Sequence, residues 1–389
     1  NPGSFYYSSG ATTMYVHASN SSSVITNGLV YEFPLLEECI DINEQDYITI
    51  DGVNLTKTSG DNANTIGPIR IDGSFGVFKN FTSNNNRRHA FVFYTGATDN
   101  EADNLVLYDT WASATMVFYG AGNTRNTIKN SDIYNGYANG VVYSHGETTA
   151  NIIKNNNIYN ESGWDTTAMP LVQTEDGGSL YVSNRLYGYS SDGAFESSGS
   201  ANIYINNIID GTNIDEAAFY LDGATNTGVY HNFMTNIAAG YYAVWITGNS
   251  TGCTVKNNIC MDSGRFILVA SGSETSFTSD YNYVYNMSVR FGSWLGALKS
   301  TLSNWQSSSS LDANSSEANP TALSNGKLLP SSPCIDNGVF VTGVNDQGYY
   351  DSFGKALYRL PNIGADQGAG APTRGKSLSF GGPFFGLGK

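Results

Sequence analysis

Carboxylates close to glycines in the middle of the chain are the residues best suited to chemistry. Asp176 lies in "TEDGG", Glu196 in "GAFESSG" and Asp222 in "AAFYLDG". Two neighbouring carboxyl groups can hydrolyse a glycosidic bond, since one protonates the leaving oxygen while the other activates water. Crowding raises the pKa of one carboxyl, which keeps it protonated. We therefore predict Glu196 as the acid and Asp176 or Asp222 as the base, although Asp before Gly is also ordinary turn chemistry.

Apolar strands that end on glycine must position these carboxylates. Residues just before each glycine would form one column, and residues two positions earlier a second column on the same face. This alignment places Asp176 and Asp222 in the first column and Thr174 and Glu196 in the second. Asp176 and Glu196 would then be roughly 5 to 8 Å apart, and Asp176 and Asp222 about 10 Å apart. Aromatic and imidazole side chains in the same columns are predicted to bind the sugar rings: His145, Tyr143, Tyr220 and Trp245. The strands are "AFVFYTG" (90–96), "GVVYSHG" (140–146), "PLVQTEDG" (170–177), "GAFESSG" (193–199), "AAFYLDG" (217–223), "YAVWITG" (242–248) and "FILVASG" (266–272).

Other polar and aromatic residues stand near these columns. Trp164 belongs to the insertion "ESGWDTTAM" (161–169) and is expected to wall one side of a substrate groove. Arg185 either neutralises a carboxylate or marks an irregular coil. Glu175, one residue out of register, is expected to point to the opposite face, as a turn residue or a calcium ligand. His231 is predicted to lie on the surface of another sheet.

A repeat in the middle of the chain predicts the fold. Segments such as "NIIKNNNIYN" (151–160) and "CTVKNNICMD" (253–262) share a polar position with steps of 22 to 29 residues. Such steps favour a solenoid with three short strands per coil. Stacked Asn side chains can hydrogen-bond from coil to coil. The aligned polar residues are Asp132, Asn157, Asn207, Asn232, Asn258 and Asn282, with Arg185 at the corresponding place in the long gap.

The predicted architecture is an all-β, right-handed parallel β-helix of about ten coils over residues 45–290. Residues 1–44 are expected to form an N-terminal cap, and 291–370 a C-terminal capping region. In that region, residues 291–306 have the spacing of a helix, whose apolar face would contain Phe291, Trp294, Leu295, Leu298, Leu302 and Trp305. A Gly/Phe-rich tail (371–389) follows and is expected to pack on something. Four sparse cysteines favour free thiols over a disulfide scaffold.

Composition excludes several classes of function. The net charge of −15 argues against a nucleic-acid partner. It argues less strongly against polyanionic glycans, which would need a local basic patch or a metal. The longest apolar runs are too short for a membrane span. No start methionine or signal peptide is visible, so Asn1 is expected to begin a processed or truncated chain.

The chain resembles the pectate-lyase-like superfamily of right-handed parallel β-helix proteins, in particular secreted bacterial and phage-borne members that act on polysaccharides. The resemblance covers residues 1 to about 367 and is carried by the repeats, "NPGSFYYSSGATTMYVHAS", "LSNWQSSSSLDANSSEANP" and "SSPCIDNG…LPNIGADQ". It implies carbohydrate bound along an outer face, in a secreted protein or on a phage virion, but not one chemistry.

A glycoside hydrolase without a cofactor is therefore our leading expectation for the function. A lyase using Ca²⁺ is one alternative. Another is a glycan-binding adhesin or virion spike, which could assemble with further copies or with a virion through the tail.

Overall fold

The computed structural model describes residues 5–7, 14–16, 39–42, 44–56, 67–164, 169–345, 353 and 361–367. The predicted parallel β-helix is confirmed: three sheets run along the molecule, and each coil contributes one strand to each sheet in turn. Outside them, β1 (Phe5–Tyr7) pairs antiparallel with β2 (Met14–Val16). The predicted cap (1–44) lies mostly, and the predicted tail (371–389) entirely, outside the described residues.

Sheet I opens each coil with strands that are mostly three residues long. Its ten parallel strands in the described part of the chain are β4 (Thr49–Asp51), β7 (Val77–Lys79), β10 (Glu101–Asp103), β13 (Thr127–Lys129), β16 (Ile152–Lys154), β19 (Leu180–Val182), β22 (Ile203–Ile205), β26 (Gly228–Tyr230), β29 (Thr254–Lys256) and β32 (Thr278–Asp280).

Sheet II follows after a tight corner. Its strands are β5 (Asn54–Thr56), β8 (Thr82–Asn86), β11 (Val106–Thr110), β14 (Asp132–Tyr134), β17 (Asn157–Asn160), β20 (Arg185–Ser190), β23 (Ile208–Asp210), β27 (Phe233–Thr235), β30 (Ile259–Met261) and β33 (Tyr283–Tyr285), and β24 (Asn213–Ile214) pairs with the end of β20.

Sheet III carries the strands that the sequence analysis singled out. They are β3 (Ile40–Asp41), β6 (Ile69–Ile71), β9 (Phe91–Phe93), β12 (Met116–Tyr119), β15 (Val142–His145), β18 (Val172–Thr174), β21 (Phe195–Ser197), β25 (Ala217–Asp222), β28 (Tyr242–Thr247), β31 (Arg265–Val269), β34 (Arg290–Trp294) and β35 (Ala297–Lys299).

A buried asparagine ladder joins the coils at the corner between sheets I and II. Each Asn side chain donates to the next: Asn207 Nδ2 lies 3.0 Å from Asn232 Oδ1, and Asn232 Nδ2 lies 3.1 Å from Asn258 Oδ1. The ladder satisfies polar groups that the core would otherwise leave unpaired. Its members from coil to coil are Asn156, Asn184, Asn207, Asn232, Asn258 and Asn282.

The predicted ladder is wrong by one residue in three coils. Ser131, Asn156 and Asn184 occupy the ladder corner, whereas Asp132, Asn157 and Arg185 follow it, as the first residues of their strands. In "KNNNIY" residue type alone cannot separate the three asparagines. The ladder residue is the one after a left-handed corner residue, here Asn155 with φ of 56°. Arg185 is therefore no irregularity in the ladder.

A tyrosine ladder covers part of the outer face of sheet II. The rings of Tyr108, Tyr134, Tyr159 and Tyr187 stack with centroids 4.8, 4.7 and 4.6 Å apart and within 10° of parallel. Burial between neighbouring rings raises the pKa of Tyr134 to about 12. The spacing of the rings follows that of the strands.

The C-terminal helix is shorter than predicted. The helix α1 spans Leu302–Ser309 and is capped by the Thr301 side chain, whereas β34 and β35 form a hairpin on sheet III. Gly292 and Gly296 explain the difference: a Cβ at Gly292 would collide with the Ile267 carbonyl oxygen, and Gly296 turns with φ of 81°. Trp305 still packs against Phe291 and Trp294, as the apolar pattern predicts, whereas Leu295 and Leu298 are exposed in the hairpin.

His231 anchors the segment after α1 and is not on the surface as predicted. It is fully buried, and Nδ1 lies 3.0 Å from the Asn362 carbonyl oxygen while Nε2 lies 3.2 Å from Asn345 Nδ2. Burial lowers the pKa of its imidazole to about 4. The sequence offers no sign of this contact, since residues 345 and 362 are distant in the chain.

The four cysteines are free thiols, of which Cys39 is half-buried and the other three are buried. In the described part of the chain, no helix has the length and apolarity to cross a membrane.

Candidate functional site

The outer face of sheet III carries the candidate site. Strand register aligns five neighbouring outward positions across β15, β18, β21, β25 and β28: Tyr143, Gln173, Glu196, Tyr220 and Trp245. Two residues further along each strand, a second outward column contains His145, Asp222 and Thr247. The structure therefore brings together most of the predicted site residues.

The predicted register is wrong in β18. Gln173, and not Thr174, pairs with Glu196; Thr174 is fully buried, and its hydroxyl lies 2.6 Å from that of Tyr181. Alignment on the glycine fails here because, counted from the paired residues Tyr143 and Gln173, "QTEDG" holds four residues before its glycine and "YSHG" holds three. A slip of one residue exchanges the two faces of a strand.

Asp176 consequently lies off the outer face. It is 9 % exposed, and its carboxylate accepts hydrogen bonds from Glu147 N at 2.8 Å and Thr148 Oγ1 at 2.9 Å. These contacts hold the turn after β15 against the next coil. The side chain is directed at this turn and not at Glu196.

Glu175 takes the outward place that had been predicted for Asp176. Its carboxylate accepts from the Tyr143 hydroxyl at 3.1 Å and lies within hydrogen-bond distance of His145 Nδ1. The prediction that Glu175 points to the opposite face is wrong. Burial and the Glu175 charge both raise the pKa of Tyr143, so its hydroxyl remains a donor.

Aromatic rings extend this part of the face toward the N-terminus. Tyr143 stacks on His145 at 5.4 Å, His145 lies 5.7 Å from Tyr119, and Tyr119 stacks on Tyr94 at 5.7 Å. Beside them, a small cavity of about 50 Å³ is lined by His89, Ser113, Tyr119, Asn139, Tyr143 and His145. Rings and polar edges of this kind suit sugar binding.

Five carboxyl groups gather next to these rings: Glu175, Asp192, Glu196, Glu216 and Asp222. Half-buried Glu196 has its pKa raised to about 7, because burial disfavours its charge and Asp192, Asp222 and Glu175 repel it. Glu216 has its pKa raised to about 8 by burial and by a hydrogen bond with Asp192. A carboxyl group with a pKa near 7 can act as a general acid at neutral pH.

Sequence reasoning missed Asp192 and Glu216, which lie in the turns between sheets II and III rather than in a repeat column. Glu216 has φ of 111°, a backbone conformation that few side chains adopt. Such strain persists only where the surrounding structure imposes it, and it often marks functional sites. The pair "DE" before "AAFYLD" was the available signal.

The predicted aromatic border is present on the far side of the carboxylates. Tyr220 and Trp245 meet edge to face at 5.4 Å, and Tyr242 adds a third ring 5.8 Å from Trp245. Burial and then the charges of Asp222, Glu216 and Glu196 raise the pKa of Tyr220 to about 12. The phenol therefore stays protonated next to the acids.

Trp164 and Arg185 lie elsewhere. Trp164 is in the turn after β17, where it contacts the exposed Trp111 at 4.6 Å and its Nε1 donates to the Gly136 carbonyl oxygen at 3.0 Å. The rest of that insertion, 165–168, lies outside the described residues. Arg185 is on sheet II, with its guanidinium 5.7 Å from the centre of the Tyr187 ring, so it does not neutralise the carboxylates of sheet III.

Among the described residues, no group of three or more His, Cys, Asp and Glu side chains is arranged to hold a metal ion. What the face offers chemically is a protonated carboxyl group, nearby carboxylates and flanking rings. This set suits proton transfer to and from a bound sugar chain.

Comparisons with known proteins concern the fold. No protein-family model matches the chain, and no curated protein sequence matches it. Among solved structures, the chain is similar to the crystal structure of pectate lyase Pel9A, with 13 % identity and a TM-score of 0.40, over 82 % of this chain and 72 % of that one. The predicted parallel β-helix itself is established by the three parallel sheets.

Proposed function

We propose that this protein hydrolyses glycosidic bonds of a polysaccharide that lies along the outer face of sheet III. The observation that carries this proposal is Glu196, whose pKa is raised to about 7 on a face with an aromatic pair at Tyr220 and Trp245. The fold is consistent with it, because a long open sheet accommodates several sugar units of an extended chain. A glycan substrate also implies a secreted or virion-borne protein.

In this proposal Glu196 is the general acid and Asp222 the base that activates water. Glu196 pairs with Tyr220, so Asp222 lies one strand across and two residues along, a Cα separation of roughly 8 Å. A carboxyl separation of about 6.5 to 9.5 Å leaves room for water and gives inversion at the anomeric carbon. Asp192 assists by keeping negative charge near Glu196, which favours the protonated form of Glu196, and Glu216 is hydrogen-bonded to Asp192.

A second candidate is glycan binding without cleavage, as in an adhesin or a virion spike. The rings of Tyr94, Tyr119, His145 and Tyr143 favour it, because they form an aromatic surface that needs no acid to bind sugar. The same surface would serve a hydrolase as subsites. A lyase that recruits Ca²⁺ is the remaining alternative.

The test is a release assay on a panel of neutral and acidic polysaccharides. New reducing ends are measured together with the ultraviolet absorbance of unsaturated products, for the wild type, Glu196→Gln and the exposed control Glu317→Gln. We expect reducing ends without absorbance, lost in Glu196→Gln and kept in the control. Absorbance would indicate a lyase, and retention of a glycan without release would favour a binding protein.

A further inference from the structure

Two arginines lie side by side beyond the aromatic border. Arg265 in β31 and Arg290 in β34 are direct register partners on adjacent parallel strands of sheet III. Strand spacing puts their Cα atoms about 5 Å apart. Like charges on directly opposed positions destabilise a sheet, so the presence of two arginines here has to be explained by something other than stability.

Neither guanidinium is neutralised within the described part of the chain. No carboxylate forms an ion pair with either arginine there. Arg265 donates through Nη1 to the Gly240 carbonyl oxygen at 3.1 Å, but the Nε atoms of Arg265 and Arg290 are both buried without a hydrogen-bond partner. A buried N–H of a charged group that lacks an acceptor is costly.

This pair continues the candidate site. The Arg265 guanidinium lies 4.9 Å from the centre of the Tyr242 ring, Tyr242 contacts Trp245, and Trp245 contacts Tyr220 beside the acids. Ala217, Tyr242, Arg265 and Arg290 form one register column, and Glu216 directly precedes it. The face thus changes along the axis from acidic through aromatic to basic, over about 14 Å from β25 to β34.

We infer that Arg265 and Arg290 form a subsite for an anionic group, a carboxylate or a sulfate ester, carried by the bound polysaccharide. The terminal Nη groups, which are not among the buried unpaired atoms, are the ones that two adjacent guanidiniums would present to the paired oxygens of such an anion. The substrate class that follows is an acidic polysaccharide whose charged unit sits a few sugars from the cleaved bond. The pair is the local basic patch that a chain of net charge −15 needs to hold a polyanion. This identification of the substrate rests on the proposed function, whereas the anion site itself does not.

The test measures binding rather than cleavage. Glu196→Gln protein is titrated with polygalacturonate, alginate, hyaluronate and chondroitin sulfate, each beside its carboxyl-reduced or desulfated counterpart. We expect at least one acidic polymer to bind about tenfold or more tighter than its neutralised form, because charge-assisted hydrogen bonds are lost. Which of the two modifications weakens binding identifies carboxylate or sulfate.

Substitutions assign the effect to the pair. Arg265→Gln/Arg290→Gln should remove the preference for the acidic polymer, and Arg265→Lys should keep part of it. Lys256→Gln, on sheet I, is the matched control and should leave it unchanged. Thermal melts check that each variant folds. A preference that survives in the folded double variant, or equal binding of acidic and neutralised polymers throughout, would overturn the inference.

The result is separable from the proposed function. An Arg-dependent preference in a protein that cuts nothing would leave the anion subsite standing and remove the hydrolase. If the protein instead cleaves neutral polymers and neither arginine substitution changes that cleavage, the hydrolase stands and the anion subsite is removed.

Discussion

Glu216 is hydrogen-bonded to Asp192 across adjacent coils, at the edge of the face that carries Glu196. Two carboxyl groups this close share a proton, and the pKa of Glu216 rises to about 8. The pair keeps a negative charge close to Glu196, the proposed acid, and this charge favours the protonated form of Glu196. It also makes the stability of the fold depend on pH.

Glu216→Gln should make the protein more stable at alkaline pH. The folded chain keeps the Glu216 proton from pH 4.5 up to about 8, while the unfolded chain loses it near 4.5, so rising pH across this window removes stability. The amide cannot ionise, and the gain at pH 8 should be on the order of 1 kcal/mol after allowance for solvent screening. Urea unfolding at pH 5 and pH 8 measures it. Equal midpoint differences between wild type and variant at both pH values would contradict the linkage.

The pH dependence of hydrolysis should report Glu196. Since the acid must be protonated, kcat/KM should fall as the pH rises through about 7. Asp192→Asn removes a charge that raises the pKa of Glu196, so the falling limb should move to lower pH. Initial rates of reducing-end release across pH 5 to 9 give both profiles. A limb that stays in place in Asp192→Asn would argue against Glu196 as the titrating group.

Asn232→Ala should destabilise the fold by roughly 3 kcal/mol or more, because several buried polar groups lose their partners at once. Asn232 Oδ1 accepts from both the backbone N and the side chain of Asn207, and Asn232 Nδ2 donates to the Tyr204 carbonyl oxygen. Asn157→Ala is the control, since its exposed side chain donates only to Asp132 at the surface. Thermal melts compare the two variants. A similar small loss of stability in both variants would mean that the asparagine ladder contributes little to the stability of the fold.

His231 should make the protein lose stability in mild acid. Its folded pKa of about 4 lies below the ordinary value of 6.5, so the unfolded chain binds a proton that the folded chain excludes, and stability falls as the pH drops from 6.5 toward 4. His231→Asn keeps a side chain that tolerates the left-handed backbone at φ of 54° and cannot take up a proton. The variant should show a flatter stability curve over this range in denaturant titrations. An unchanged curve would show that other groups control the acid response.

The repeat pattern was enough to predict the coils, the three strands per coil and the outer face with Glu196, Asp222, Tyr220 and Trp245. It failed where residue identity does not fix register: the extra residue in "TEDGG" turned Asp176 inward, and three consecutive asparagines concealed Asn156. Asp192, Glu216 and Arg290 were missed because they lie outside the aligned columns, in turns or in a strand beyond the last recognised repeat. Their importance comes from neighbours in the next coil, which chain position alone does not reveal.

The stacked tyrosines of sheet II give the molecule an optical property. Rings held nearly parallel at 4.6 to 4.8 Å couple their ultraviolet transitions, so Tyr108, Tyr134, Tyr159 and Tyr187 contribute jointly to the aromatic circular dichroism while the coils remain in register. Separation of one coil would interrupt that coupling and change the circular dichroism of the aromatic band. The middle of the rod thus carries an intrinsic spectroscopic reporter of whether its turns unwind singly or together.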